Sequence, residues 1–265
     1  VHKLKVYQLP QAGRAAKGSS LKNLLSLSSE ENVAAILPIR SFEEDKFILM
    51  ATKNGIVKKS PLTEYVNIRT GGIRAINIDG DDELIAVRLT NGEQDIFLAT
   101  RNGMGIRFNE ADARPMGRVT RGVIGVRLGK DDHVVGVEVL KEGAMILTIT
   151  DKGYGKRTSI EEYREQKRGG KGLINIKVTD RNGPVVGIIQ SFGDDEFMMI
   201  TDIGKIIRIR VDLDSLRTIG RSTQGVQLQD LGGEGSKILT IAPVLEREAD
   251  SDEDEIQDIA SSDQT

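Results

Sequence analysis

The chain has 265 residues, 38% of them hydrophobic and 29% charged, the composition of a soluble globular protein with ample material for a buried core. No apolar run approaches the roughly 18–20 residues of a membrane span, and the absence of cysteine rules out disulfides and thiolate metal sites, which fits a reducing cytoplasm. The net charge of −3 is divided: from Leu245 to Thr265 nine acids stand against Arg247 alone, so the tail carries −8 and residues 1–244 carry +5.

The opening "VHKLKVYQLP" lacks the apolar core of a secretory signal and begins with valine, so the chain reads as a fragment or a processed product. "AAKGSSLKNLL", with Gly18, is an incomplete first copy of a pattern that recurs about every fifty residues. Its later copies are "FILMATKNGIVKKSPL", "IFLATRNGMGIRFNEA", "ILTITDKGYGKRTSIE" and "FMMITDIGKIIRIRVD", with turn glycines Gly55, Gly103, Gly153 and Gly204. A second glycine series, Gly72, Gly122, Gly172 and Gly225, runs in step through "GGIRAINI", "RGVIGVRL", "KGLINIKV" and "QGVQLQDL".

Each unit reads as four short strands. A β-rich run such as "KFILMAT" meets Asn54-Gly55, a two-residue hairpin signal, and resumes as "IVKKS". After a polar loop comes a third strand such as "IRAINI", then an acidic turn, then a fourth strand such as "LIAVRL". Helical periodicity is nearly absent; "PLTEY" and "SIEEY" allow a single turn. The pattern predicts an all-β, propeller-like radial array of four-stranded blades over residues 1–244, with repeats at roughly 1–40, 46–90, 95–140, 145–191 and 196–244. The acidic segment 245–265 is predicted to be a disordered tail, because it has too little apolar surface to offset its ordering entropy.

Lysine and arginine gather in the loop between the second and third strands of every unit: Arg14 and Lys17; Arg69 and Arg74; Arg114, Arg118 and Arg121; then "YREQKRGGKG"; then Arg217 and Arg221. Equivalent positions in a radial array share one rim, so these loops predict a basic belt. The second strands add Lys58, Lys59, Arg107, Lys156, Arg157, Arg208 and Arg210. A continuous positive belt suits duplex DNA. Few aromatics argue against a single-strand stacking platform, and the lack of a recognition helix argues for phosphate positioning over base reading. In "QKRGGKG", Gly169, Gly170 and Gly172 let backbone N–H groups approach a phosphate as an anion nest, Lys167, Arg168 and Lys171 supply charge, and Gln166 offers a side-chain donor. A lone basic, glycine-rich loop reads as solvated; recurrence in register across five units favours an anion-binding face.

"YGKRTSIEEYREQKRGGKG" resembles the box motif, Q-R-R-G-G-K-G, of the DNA gyrase A C-terminal domain family, with Lys167 in place of its first arginine. "LKVYQLPQAGRAAKG", "NGIVKKSPLTEY" and "ARPMGRVTRGVIGVRL" are similar to that family's repeats, so the resemblance spans the folded part. It implies a β-pinwheel, a six-bladed disc with strands exchanged between blades that wraps DNA around its edge. On this alignment the first blade and part of the second lie upstream of Val1, and residues 166–172 are a fifth-blade version of the box. The resemblance further implies a non-catalytic part of an ATP-hydrolysing topoisomerase that introduces negative supercoils. Its partners would be duplex DNA, the rest of the gyrase A polypeptide and the gyrase B polypeptide in an A2B2 complex, in the bacterial cytoplasm with the nucleoid; no cofactor, membrane or small-molecule substrate is implied. The related topoisomerase IV domain, which bends DNA without strong wrapping, and a propeller that docks an acidic protein are the alternatives.

Other signals read blandly. His2 and His133, over a hundred residues apart, support neither a metal site nor a Ser-His-Asp constellation. The recurrent "GDDE" and "KDDH" turns read as solvated acids before cation ligands, "RGGKGL" lacks the end of a P-loop, and Tyr7, Tyr65, Tyr154 and Tyr163 read as packing residues. An acidic tail beside a basic body also suggests competition with DNA for the belt.

Overall fold

The computed structural model describes residues 1–244 except Arg14, Ser26, Ser29, Glu30, Asp194, residues 212–215, Arg217 and residues 232–234. The predicted tail, 245–265, lies outside the described residues.

The described strands form four antiparallel sheets that follow one another along the chain. In the first, β1 (Phe47–Thr52) pairs with β2 (Ile56–Pro61) and with β3 (Leu84–Thr90). The next unit repeats the arrangement with β4 (Asp95–Thr100), β5 (Met104–Asn109) and β7 (Val134–Val139). Then come β8 (Met145–Thr150), β9 (Tyr154–Ser159) and β11 (Val185–Ser191), and finally β12 (Glu196–Thr201), β13 (Ile206–Arg210) and β15 (Ile238–Val244). Strands β3, β7, β11 and β15 pack one against the next, so the sheets fan out in order from a shared line.

The third strand of each unit does not stay in its own sheet. β6 (Val123–Ile124) pairs with β2, β10 (Leu173–Ile174) with β5, and β14 (Val226–Gln227) with β9. Every such strand completes the sheet of the preceding unit, which is the exchange of a β-pinwheel. "IRAINI" forms no strand; its Ile73 pairs only with Val1, and residues 1–40 carry short 3-10 turns at Val6–Gln8 and Leu21–Asn23. The single turns expected at "PLTEY" and "SIEEY" are 3-10 turns, Leu62–Tyr65 and Ile160–Glu162.

The hairpins differ from the expected two-residue type. Gly55, Gly103, Gly153 and Gly204 have φ near +80° (82, 84, 79 and 77) whereas Asn54 and Asn102 are not left-handed. Each glycine N–H donates to the carbonyl of a threonine three residues back, Thr52, Thr100, Thr150 or Thr201. Only the glycine position is conformationally demanding in such a turn, so Lys152 and Ile203 can stand where Asn54 and Asn102 do. The Gly55 carbonyl also accepts the N–H groups of Gly125 and Val126, and Gly103 and Gly153 do the same for the units that follow them. The segment just after a second-series glycine therefore docks on a first-series glycine of the preceding unit, which explains why the two series run in step.

Burial follows from the stacking. β1, β4 and β8 are apolar runs buried on both faces: a sheet lies on either side of β4 and β8, whereas β1 has a sheet on one side and, on the other, Leu62, Tyr65 and Ala75 with Ile39 and Phe42. β12 alternates between buried and half-buried residues, as befits the last sheet, covered by one neighbour.

Candidate nucleic-acid interface

The second strands carry cations that the sequence assigns to the belt, and the structure turns most of them inward. Lys58 and Lys156 are 0% exposed, Arg157 1% and Lys59 3%, since β2 and β9 have no solvent face. Lys58 Nζ donates to the carbonyls of Ala75 and Arg118. Lys156 Nζ donates to Thr158 Oγ1 and, at 3.4 Å, to the Gly220 carbonyl. Lys59 Nζ lies 2.8 Å from the Glu110 carbonyl and 3.6 Å from its carboxylate, which also accepts Thr90 Oγ1 and the N–H groups of Gly92 and Gln94. Arg157 Nη1 donates to the Gly193 carbonyl, Arg107 pairs with Asp95 at 2.8 Å, and Arg208 pairs with Glu196. Lys156 and Arg157 are thus corrected from rim contacts to buried supports: a phosphate at the surface cannot reach them. Burial lowers the Lys58 pKa to about 8 and the Lys156 pKa to about 7, in the latter against the opposing charge of Glu162 and with that of Arg221. It pushes the Tyr65 and Tyr163 hydroxyls upward. Both tyrosines are core residues, as expected, whereas Tyr7 is 84% exposed and packs against little.

The box lies across the preceding unit. Gly169 N–H donates to the Gly125 carbonyl at 2.6 Å, and the Gly170 carbonyl accepts from Arg127 N–H at 2.8 Å. Gly172 has φ +78°, and a Cβ there would sit 2.4 Å from the Gly105 carbonyl oxygen. These glycines let two backbones touch. The expected anion nest fails at Gly169, whose donor is already engaged. Gln166 N–H donates to the Arg107 carbonyl at 2.8 Å, and its buried side-chain Nε2 has no partner among the described residues. Lys167 Nζ stands 3.0 Å from Asp112 Oδ1 with its side chain 90% exposed. Arg168 donates through Nε to the Asp112 carbonyl at 2.8 Å and through Nη1 to the Ile124 carbonyl at 3.1 Å. Lys171 is exposed.

Of the other loop cations, Lys17, Arg69, Arg74, Arg114 and Arg121 are exposed, and Arg118 and Arg221 half-buried; Arg14 and Arg217 lie outside the described residues. Arg121 pairs with Asp79 at 3.0 Å. Arg69, Arg74 and Arg118 line one open groove of about 790 Å³ between the loops of the second and third units, with Glu64 and Asn67 on its wall. Its cationic lining suits charge-assisted contacts to phosphate oxygens. Sequence reasoning missed Arg127 and Lys177, both exposed just after an exchanged strand. Their signal was positional: with Asn77 they recur every fifty residues, and each donates its N–H to the next unit's basic loop, at Thr120, Gly170 or Thr223.

The recurrent turn acids are caps. Asp82 Oδ1 accepts from Asn54 N–H at 2.8 Å, and Asp132 accepts from Asn102 N–H at 2.9 Å and Thr100 Oγ1 at 2.7 Å. Among the described residues no group of three or more His, Asp or Glu could hold a metal ion, and no helix is long and apolar enough to cross a membrane.

The sequence matches the family described as "DNA gyrase C-terminal domain, beta-propeller" over residues 3–40, 46–91, 94–141, 144–191 and 195–244. The DNA gyrase A protein of Halalkalibacterium halodurans is 53% identical over 255 residues, 96% of this chain and 30% of that protein. The DNA gyrase A protein of Escherichia coli K12 is 46% identical over 228 residues, 86% of this chain and 26% of that protein. The chain therefore spans under a third of these relatives. Among solved structures, the C-terminal domain of a DNA topoisomerase IV superposes with TM-score 0.82 at 26% identity, covering 90% of this chain and 74% of that one. A DNA gyrase A C-terminal domain superposes with TM-score 0.76 at 23% identity, covering 87% and 76%.

Proposed function

The chain belongs to the DNA gyrase C-terminal β-propeller family, and from that premise we propose that it binds duplex DNA along its basic loops and bends or wraps it. In this reading it is the non-catalytic DNA-handling part of a bacterial, cytoplasmic gyrase, acting with the rest of the gyrase A polypeptide and with gyrase B to introduce negative supercoils. The observation that carries the reading is the register of exposed cations. Arg74, Arg121 and Lys171 stand on successive loops beside the glycines of one series, with Arg127 between the second and third of these loops and Lys177 between the third and the loop that follows. Each phosphate contact would lower log K by roughly 0.9 per decade of salt, and bending a 20–30 base-pair segment takes on the order of 1–6 kcal/mol from those contacts. The chain's role is mechanical: it holds one DNA path while the chemistry occurs elsewhere in the enzyme.

The likeness to the topoisomerase IV domain favours a second reading, bending without a chiral wrap. Ligating nicked circular plasmid in the presence of the chain separates the two. A positive linking shift that grows with protein supports wrapping; retarded DNA without a shift supports bending alone. Heparin binding with no preference for duplex DNA would overturn both.

A further inference from the structure

Arg118, Arg168 and Arg221 each stand four residues before a glycine of the second series, and none of them points simply outward. Arg118 Nη1 donates to the Glu64 carbonyl at 2.9 Å, and Arg221 Nη1 donates to the Ile174 carbonyl at 3.2 Å. Arg168 makes both kinds of bond: Nε to the Asp112 carbonyl at 2.8 Å and Nη1 to the Ile124 carbonyl at 3.1 Å. In all three cases the acceptor belongs to the preceding unit. Ile124 lies in β6, which has crossed into the sheet of the unit before that. One guanidinium therefore joins the loop of the fourth unit, the 3-10 turn of the third, Glu110–Asp112, and the completed sheet of the second.

Planar guanidinium donors aimed at two carbonyls, one on the third unit's 3-10 turn and one in the sheet of the second unit, resist rotation of one unit against another, which a lysine ammonium with one flexible point of charge does not. Three residues on, Lys171 makes no hydrogen bond or ion pair among the described residues and is exposed. The box thus divides its labour between a cation turned in and a cation turned out. We propose that Arg168 is a positioning residue for DNA wrapping, stapling the box to the two preceding sheets so that the angle between units is fixed, while Lys171 meets the phosphate. The proposal rests on the DNA reading above and assigns roles within it. A rim built of units follows a chiral path only if each joint holds its angle, so loss of the staple loosens the path without removing a contact.

The test compares R168K, R168Q and K171Q in the full chain, reading three quantities: the salt dependence of duplex binding, the linking shift at saturating protein, and hydrogen exchange of the Gly169 and Arg127 amides, which donate to the Gly125 and Gly170 carbonyls. K171Q is expected to lower the salt slope by about one, and K171R to restore it. R168Q should keep the slope and lose about half or more of the linking shift, and R168K, which keeps the charge, should fail to rescue it. A linking shift restored by R168K, or a slope loss in R168Q equal to that of K171Q, overturns the proposal. Should the unsubstituted chain give no linking shift, wrapping fails, and the staple is judged on exchange. R168K is then expected to speed exchange at Gly169 and Arg127 while K171Q does not, and unchanged exchange in R168K overturns it.

Discussion

Val1 and Ile73 hold each other by two hydrogen bonds: the Val1 ammonium donates to the Ile73 carbonyl at 2.7 Å, and Ile73 N–H returns to the Val1 carbonyl at 3.0 Å. Ile73 follows Gly72 as Val123 follows Gly122, and Val123 pairs with Val57 in β2. Val1 therefore occupies the place of a second-strand residue, and the pair is a one-residue counterpart of the exchange that β6, β10 and β14 perform in the later units.

Removing Val1 and His2 should accordingly act at Ile73. His2 packs its ring over Gly72, where a Cβ would lie 2.8 Å from His2 Cε1. The loss of two partly exposed hydrogen bonds, each worth about 0.5–1.5 kcal/mol, is expected to lower stability by about 1 kcal/mol and to speed amide exchange at Ile73. Exchange at Val123 should not change. Equal acceleration at both sites would show that the pair is not local.

The glycine series supplies a sharper contrast. Gly172 combines φ +78° with a Cβ position 2.4 Å from the Gly105 carbonyl oxygen, whereas a Cβ on Gly117 meets nothing within 4 Å. Gly172→Ala is expected to destabilise by at least about 1–3 kcal/mol through backbone strain and the close approach. Gly117→Ala should stay within about 0.5 kcal/mol. Urea unfolding of both variants checks this.

How far the sequence disclosed this architecture depends on what each residue must satisfy. Gly55 and Gly122 were legible because a left-handed backbone and a close contact leave few alternatives to glycine. The exchange of β6, β10 and β14 was not legible from the residues, since a two-residue strand identifies itself as extended but not which sheet it joins. Lys58, Lys59, Lys156 and Arg157 misled because charge in a short strand reads as surface. A clue was present: "FILMAT" has no polar alternation, so both faces of β1 are covered, and its partner β2 can have no wet face either. In the box, the residue types were legible as cationic, yet the inward turn of Arg168 depends on the carbonyls of Asp112 and Ile124, distant in sequence.

Lys156 gives a pH signature. Its pKa in the folded chain is about 7, below the ordinary 10.5, because burial disfavours the charged form. Between these values the unfolded chain binds a proton that the folded chain does not, so unfolding free energy rises with pH across that window, by up to about 1.4 kcal/mol per unit for one proton. As pH falls from 10 through 7 this contribution is lost. Lys156→Met should flatten the rise between pH 7 and 9 relative to the unsubstituted chain, with Glu162 and Arg221, the charged groups acting on Lys156, left in place. An identical slope in both proteins would mean that Lys156 stays charged in the fold.

Exposure, finally, separates cations that touch DNA from cations that only support the loops. Arg74 and Arg121 are exposed, Arg74 on the wall of the groove between the second and third units, whereas Lys156 is fully buried. Arg74→Gln is expected to reduce the slope of log K against log salt by about 0.9 and Arg121→Gln by less, roughly additively if the two sites contact separate phosphates. For Arg121 the change is diluted, because its guanidinium already faces Asp79 at 3.0 Å; Asp79→Asn should then tighten binding on its own. Lys156→Met should leave the salt slope where it is, since a side chain without access to solvent releases no counterion. Duplex binding measured between about 50 and 200 mM salt reads all four variants, and a slope loss in Lys156→Met matching that of Arg74→Gln would return the buried strand cations to the interface.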